Sequence, residues 1–396
     1  MATPRSPWRW RNVLYQAHLW LGLGIGLYLV MLGITGSLLV FGREIDRSLN
    51  PHLWRVDARG ERKPLSEILA AFDQRYPGAS YSYVNYPFTP DGPFVIRIGP
   101  ASAGQTDVHI DPYSAAILGE RTRISSFYGF LCYLHFYLLA GRAGWTANGY
   151  GAMLTLILLT TGVWLWWPGR KAGSKVWKGR FSVKAGAGRP RLLYDLHNAA
   201  GVYPLIFSVI FALTAMEFAF PDTSKKVVYA LTGTPAAEPV RVAVPAGATP
   251  LPLDRLVASA DSALPGRIRR VSLPSEPGRP LLVRKEWDDW NVTRNHANIA
   301  VDPYSGQVLA VQDTREAAAG AKLIQWCIPL HFGLWGGLAT RVLYVLLGMV
   351  PVVAFVTGFW HWRLRRRREA TIAVRKPGSE AGARTQIAPA AMPRSG

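Results

Sequence analysis

The chain has 396 residues, 49% of them hydrophobic and 12% aromatic, with only 18% charged. That charged share lies below the roughly 25% of soluble domains, and the apolar content excludes disorder over most of the length. Two cysteines exclude a disulfide framework and a four-thiolate metal site. A net charge of +20 suggests a nucleic-acid binder until the charges are placed along the chain.

Residues 1–12 hold three arginines and no acid, and the first long apolar stretch follows at 13–41, inside a first segment of 1–42. It is long enough for a bilayer, which takes roughly 20 residues. It is too long for a signal-peptide core and no small-x-small cleavage pattern follows, so it reads as an uncleaved anchor. Residues 43–125 then change character. Leu65, Ile68, Leu69 and Phe72 mark one face of a helix, followed by the strand-like runs YSYVNYP, PFVIRIG and TDVHIDPYSAAIL. The D-P-Y-S at Asp111–Ser114 has turn chemistry between apolar runs and predicts a hairpin.

The segment 126–167 starts with a short aromatic stretch, 127–140, expected to be interfacial or re-entrant, and continues into a second span at 150–167. A basic loop at 168–191 carries eight Lys/Arg and no acid, ahead of a third span at 192–220. Residues 221–320 repeat the earlier pattern: a helical face of Leu253, Leu256, Val257 and Ala260, then RIRRVSLP, RPLLVRKEW and NIAVDPYSGQVLAV with a second D-P-Y-S turn at Asp302–Ser305. The segment 321–364 pairs another short aromatic stretch, 326–338, with a fourth span at 341–362, and 365–396 reads as a basic disordered tail.

Three segments, 1–12, 168–191 and 363–396, hold 18 of the 20 net positive charges, and four spans put all three on one side. By the positive-inside rule that side is the cytoplasm, with both termini in it. The partner of the excess charge is therefore the bilayer and not nucleic acid. The run Arg363–Arg368 suits a topology anchor or anionic lipid. The expected fold is a mainly α membrane protein with four transmembrane helices plus interfacial helices and two outside α+β domains.

Spacing points to a tandem duplication. His18 precedes Thr35 by 17 residues and His197 precedes Thr214 by 17; His135 precedes Thr161 by 26 and His331 precedes Thr357 by 26. Parallel repeats of this kind are related by an axis along the membrane normal. The duplication makes His18 equivalent to His197 near the cytoplasmic face, and His135 equivalent to His331 near the outer face. Ionisable residues at membrane depth are costly and functional by default. A flat cofactor on the pseudo-two-fold axis would take one imidazole from each half, so the two pairs suit two bis-histidine b-type haems. A lone histidine at such a depth is more often a hydrogen-bonded polar residue; the pairing favours ligands.

His361 has no repeat partner and reads as interfacial, while His52, His109 and His296 read as ordinary surface or strand residues. Zinc or copper would need three or four converging ligands; Cys132 and Cys327 each share a helix face with a histidine and could join such a site, form a disulfide, or simply pack. Gly22 and Gly26 form a G-x-x-x-G that allows close helix packing or leaves room for a porphyrin face. Thr35-Gly36, Thr161-Gly162 and Thr357-Gly358 read as close-approach positions, and the tryptophans at 164, 166, 167, 360 and 362 as an aromatic belt. No H-E-x-x-H, G-x-S-x-G or P-loop occurs, and no basic-side segment is large enough to bind a nucleotide by itself.

AHLWLGL at 17–23, IDPYSAAILGE at 110–120, LHFYLLAGRAG at 134–144, TGVWLWWPGR at 161–170, YDLHNAAGVY at 194–203, VDPYSGQVLA at 301–310, PLHFGLWGG at 329–337 and TGFWHWRLRRR at 357–367 resemble the PepSY-associated transmembrane proteins. That family includes bacterial inner-membrane ferric-siderophore reductases. The resemblance covers nearly the whole chain except the tail. It implies PepSY-like periplasmic domains, and haem held by membrane histidines at His18, His135, His197 and His331. Two departures stand out: Ala215 follows Thr214 where the pattern has Gly, and Asn198 follows His197 where it has Arg. The implied activity is an oxidoreductase passing electrons from a cytoplasmic flavin or flavoprotein to a ferric siderophore or other periplasmic acceptor. Trp54, Tyr81, Tyr83, Tyr86, Trp287 and Trp290 are candidates to dock it. The competing class is a haem-free transporter, or a periplasmic binding or regulatory membrane protein.

Overall fold

Long helices and one antiparallel sheet make up the computed structural model, which describes residues 7–99, 104–235, 238–287 and 295–374. In chain order the first part contains α1 (Pro7–Val40), α2 (Gly42–Leu49), α3 (Pro51–Trp54), α4 (Leu65–Arg75), β1 (Tyr83–Asn85), β2 (Phe94–Ile98), β3 (Thr106–Ile110), β4 (Ile117–Thr122), α5 (Phe127–Tyr137), α6 (Gly141–Trp166) and α7 (Ser174–Arg180). The second part contains α8 (Arg189–Val202), α9 (Leu205–Ala219), α10 (Pro221–Thr232), α11 (Leu253–Ala263), β5 (Arg267–Ser272), β6 (Leu281–Glu286), β7 (His296–Val301), β8 (Val308–Asp313), α12 (Ala319–Phe332), α13 (Gly337–Gly348) and α14 (Val350–Val374).

Among the described residues three helices are long and apolar enough to cross a membrane: Trp10–Val40, Gly141–Trp166 and Gly337–Glu369. The third expected span is broken into α8 and α9, which meet at 54°. Pro204 sits at the break, where it has no N–H to give and its ring blocks a continuous helix. α14 runs on to Val374, into the segment expected to be a disordered tail; residues 375–396 of that tail lie outside the described residues.

The two extramembrane segments were expected as separate domains, yet their strands join one eight-stranded sheet in the order β4-β3-β2-β1-β5-β6-β7-β8. The seam is β1 against β5, with Tyr83 opposite Ser272, Val84 opposite Val271 and Asn85 opposite Arg270. Strand residues alternate between faces. One face buries Val84, Ile96, Val108, Val271, Val283 and Ile299 against Leu65, Ile68 and Phe72 of α4 and Leu256, Val257 and Ala260 of α11, in one shared core. The helical faces read from the sequence are the ones buried there. Both D-P-Y-S segments form the expected turns: the Tyr113 and Ser114 N–H groups donate to Asp111 Oδ1, and those of Tyr304 and Ser305 to Asp302 Oδ1.

Buried charges tie the sheet to the helices. Asp46 of α2 is 1% exposed; it pairs with Arg121 of β4 and accepts from Trp54 Nε1 at 3.0 Å. Arg341 of α13 pairs with Glu44 and donates to the Val40 carbonyl at 2.6 Å.

His109 is also 1% exposed, edge-on to Trp54 at 4.8 Å between ring centroids. Burial first, then the charge of Arg121, lowers its pKa from 6.5 to about 4, with Asp107 and Asp46 opposing. The unfolded chain takes up this proton near 6.5, and the folded chain takes it up only near 4. Stability from this group is therefore complete above 6.5 and falls as pH drops toward 4. The expected loss is on the order of a few kcal/mol, read as a falling unfolding midpoint of the detergent-solubilised chain. His109→Phe should flatten that pH dependence; a variant that keeps the wild-type slope would assign it elsewhere.

Candidate functional site

A cavity of about 960 Å³ lies among the membrane helices, and His18, His135, His197, His331 and His361 all line it. Its walls are mostly apolar. One end is lined by Arg11, Asn12, Tyr15, Asn198 and Arg365, next to the basic segments of the chain.

Each of the four paired histidines is fixed through Nδ1. His18 Nδ1 lies 3.0 Å from Thr161 Oγ1, His135 Nδ1 lies 2.8 Å from Thr35 Oγ1, and His331 Nδ1 lies 2.7 Å from Thr214 Oγ1. His197 Nδ1 lies 2.9 Å from the Ala354 carbonyl oxygen. The three threonine hydroxyls already donate their only hydrogen to carbonyls four residues back: Thr161 to Ile157, Thr35 to Met31 and Thr214 to Ile210. A hydroxyl so committed can only accept from the ring, and a carbonyl can only accept. Nδ1 therefore carries the hydrogen in all four neutral rings, and Nε2 keeps its lone pair. A metal-ligating imidazole held by an outer-shell hydrogen bond has this arrangement.

Glycine completes the seats. A Cβ on Gly162 would stand 3.0 Å from His18 Cε1, one on Gly36 3.2 Å from His135 Cε1, and one on Gly358 2.9 Å from His197 Cε1. Beside His331 the corresponding residue is Ala215, which also lines the cavity. The Thr-Gly pairs, expected only to bring helices together, thus also hold the imidazole rings. Close helix approach falls to other glycines: a Cβ on Gly33 would stand 2.2 Å from the Gly348 carbonyl oxygen, and one on Gly26 2.2 Å from the Phe355 ring.

The structure brings His18 and His197 together, with ring centroids 6.1 Å apart and planes at 80°. Two imidazoles on opposite sides of one metal, each at a nitrogen–metal distance of about 2 Å, have centroids roughly 6 Å apart. At the other end His135 and His331 occupy the last turns of α5 and α12. The phenylalanines that follow them, Phe136 and Phe332, meet edge to face at 6.3 Å.

Two further residues position that end. Asn148 Nδ2 donates to the carbonyls of His135 and Phe136 at 2.7 and 2.9 Å, and Tyr28 donates to Asn148 Oδ1 at 2.9 Å. Tyr344 donates to the Leu330 carbonyl at 2.5 Å. The sequence reading passed over both, although each lies thirteen residues past its histidine.

The other candidates divide. His361 accompanies the site, its Nδ1 3.3 Å from the Pro190 carbonyl oxygen. Cys132 and Cys327 are free thiols. Among the described residues no three His, Cys, Asp or Glu side chains gather as a metal-binding group. Of the aromatics considered for docking, Trp54 is engaged by Asp46 and His109. Tyr81 packs on Phe72 and Tyr86 on Phe94, while Trp287 stacks beneath Arg315 at 3.8 Å. Tyr83 stands on the sheet face opposite the core, and Trp290 lies outside the described residues. Four imidazoles with free Nε2 atoms, three of them seated against glycine, and an apolar cavity fit a haem.

In comparison with known proteins, the family described as the PepSY-associated TM region matches residues 15–365. No curated protein matches. Among solved structures, a chain described as a lipoprotein from Clostridium difficile 630 aligns at 9% identity over 65% of this chain and 97% of that one. Its TM-score of 0.26 carries no argument about fold.

Proposed function

This chain belongs to the PepSY-associated TM family, and from that premise we propose a b-type haem electron-transfer protein that reduces ferric siderophore, Fe(III) to Fe(II), outside the bacterial inner membrane. The observation that carries the reading is the 6.1 Å separation of His18 and His197, with both Nδ1 atoms hydrogen-bonded and both Nε2 atoms free. We assign His18 and His197 to one haem and His135 and His331 to a second. The orientation proposed has four spans, α8 and α9 together forming one, with a duplicated arrangement and both termini cytoplasmic. The grouping of positive charge in 1–12, 168–191 and 363–396 supports it.

When bound, haem iron supplies a one-electron ferric–ferrous couple inside the membrane. The residues of the chain do the rest. Thr35, Thr161, Thr214 and the Ala354 carbonyl hold each proton at Nδ1, so every Nε2 keeps its lone pair for a metal. Glycine at 36, 162 and 358 leaves room for the rings, and the apolar wall keeps water out. Arg11, Arg365 and Asn198 give the basic end of the cavity the donors that a carboxylate-bearing group needs. A cytoplasmic flavin or flavoprotein is the proposed electron source. Reduction of the iron weakens its hold on hard oxygen donors, which is how one electron would release it from a chelate.

One feature suits transport instead: the 54° break between α8 and α9, since discontinuous helices build transporter sites. The oxidised-minus-reduced spectrum of the detergent-purified protein, with pyridine-haemochrome quantification, separates the two. A b-type haem for each histidine pair is expected. Protein made with ample haem supply and emerging without haem would leave transport or binding as the reading.

A further inference from the structure

The sheet face opposite the core carries a row of polar side chains that register places side by side: Asn85, Arg270, Arg284, Asn298 and Gln312. At its centre two arginines stand directly opposite each other on β5 and β6. Like charges in that position destabilise a sheet, and this one keeps them. Arg97 of β2 adds a third guanidinium, donating to Tyr83 Oη at 2.9 Å and to both Asp107 oxygens. Arg270 lies 4.2 Å from the Tyr83 ring centroid and donates to Asn85 Oδ1 at 3.0 Å.

Among the described residues few carboxylates face this row. Glu286 is shared by Arg284 and Arg269, and Asp107 is occupied by Arg97. Among the described residues no carboxylate forms an ion pair with Arg270. Burial first lowers its pKa, and Arg284 and Arg97 add to the lowering, against Tyr83 and Glu286. The side chains are only half-buried, so the excess charge is within reach of a ligand.

We propose that this face, centred on Arg270 and Arg284 with Arg97 and Tyr83 beside them, binds an anionic ferric chelate whose free carboxylates are taken by the guanidinium forks. Planar guanidinium matches carboxylate in bidentate fashion, and among the described residues the two opposed arginines have one ion-paired carboxylate between them, Glu286, which Arg269 shares. The inference rests on the reductase reading for its purpose, but its test does not depend on electron transfer.

The probe is the gallium(III)–citrate complex, which is redox-inert, titrated by calorimetry into the full chain in detergent. Arg270→Gln and Arg284→Gln should each weaken its binding roughly tenfold, with haem content unchanged by pyridine haemochrome. A cationic gallium trihydroxamate should bind more weakly to the wild type and be indifferent to both substitutions. If either variant cannot be purified, the wild type still decides. Raising salt from about 0.05 to about 0.5 M should weaken gallium–citrate roughly tenfold as charges are screened. Unchanged affinity in the variants, equal binding of the cationic complex, or no salt dependence would overturn the assignment. Loss of haem with gallium–citrate binding intact would instead count against the reductase reading.

Discussion

Alanine at His18 or His197 should remove the haem proposed for the basic end of the cavity, and alanine at His135 or His331 the one proposed for the sheet end. Each substitution takes away one of the two proposed ligands; His361, which also lines the cavity with its Nδ1 3.3 Å from the Pro190 carbonyl oxygen, is changed to alanine alongside so that it cannot stand in for the lost imidazole. Pyridine haemochrome should therefore report half the wild-type haem per chain for each of these variants. His18→Ala combined with His135→Ala should leave almost none. His52, exposed on α3, supplies the control. Equal losses from His52→Ala would mean general instability, and a full complement in any of the four ligand variants would remove that residue from the assignment.

The seats of the rings give the second large effect. Thr35→Val keeps the shape of the side chain but takes the acceptor from His135 Nδ1, while Thr35→Ser retains it. Outer-shell partners of metal-bound histidine are worth about 10–100-fold in affinity, so the valine variant should lose haem on dilution or competition with apomyoglobin and the serine variant should not. Gly358→Val acts sterically: its first carbon alone would lie 2.9 Å from His197 Cε1, closer than two carbons sit without strain. Gly24 has nothing within 4 Å of a Cβ position, so Gly24→Val in the same bundle should hold haem normally. If Gly358→Val and Thr35→Val both retained haem as the wild type does, ring orientation would not depend on these seats.

What the sequence made legible was governed by distance along the chain. The histidines paired by depth because equal spacings of 17 and 26 residues are visible in a string of letters. The same spacings picked out Thr35-Gly36, Thr161-Gly162 and Thr357-Gly358, yet not what each one does, because no histidine sits on the pair in its own span. His18 of α1 is held by Thr161 of α6, and His135 of α5 by Thr35 of α1; only helix packing reveals that exchange. Local patterns also carried the buried faces of α4 and α11 and the two Asp-led turns. The seam between β1 and β5 left no such trace, since β1 is three residues long and strand partners have no spacing rule. Pro204 was in plain view, but its effect was lost inside a stretch whose composition alone reads as one uninterrupted span.

That seam sets an order of events during synthesis. Asn85 and Arg270, which meet across it, are 185 residues apart. At about 5–20 residues per second, β1 waits roughly ten to forty seconds for its neighbour to leave the ribosome. Until then the first four strands end in an open edge, with backbone donors and acceptors ready to pair with any extended chain nearby. The first half is thus complete as a set of strands long before it is closed, and its safety in that interval depends on how quickly the second half follows it.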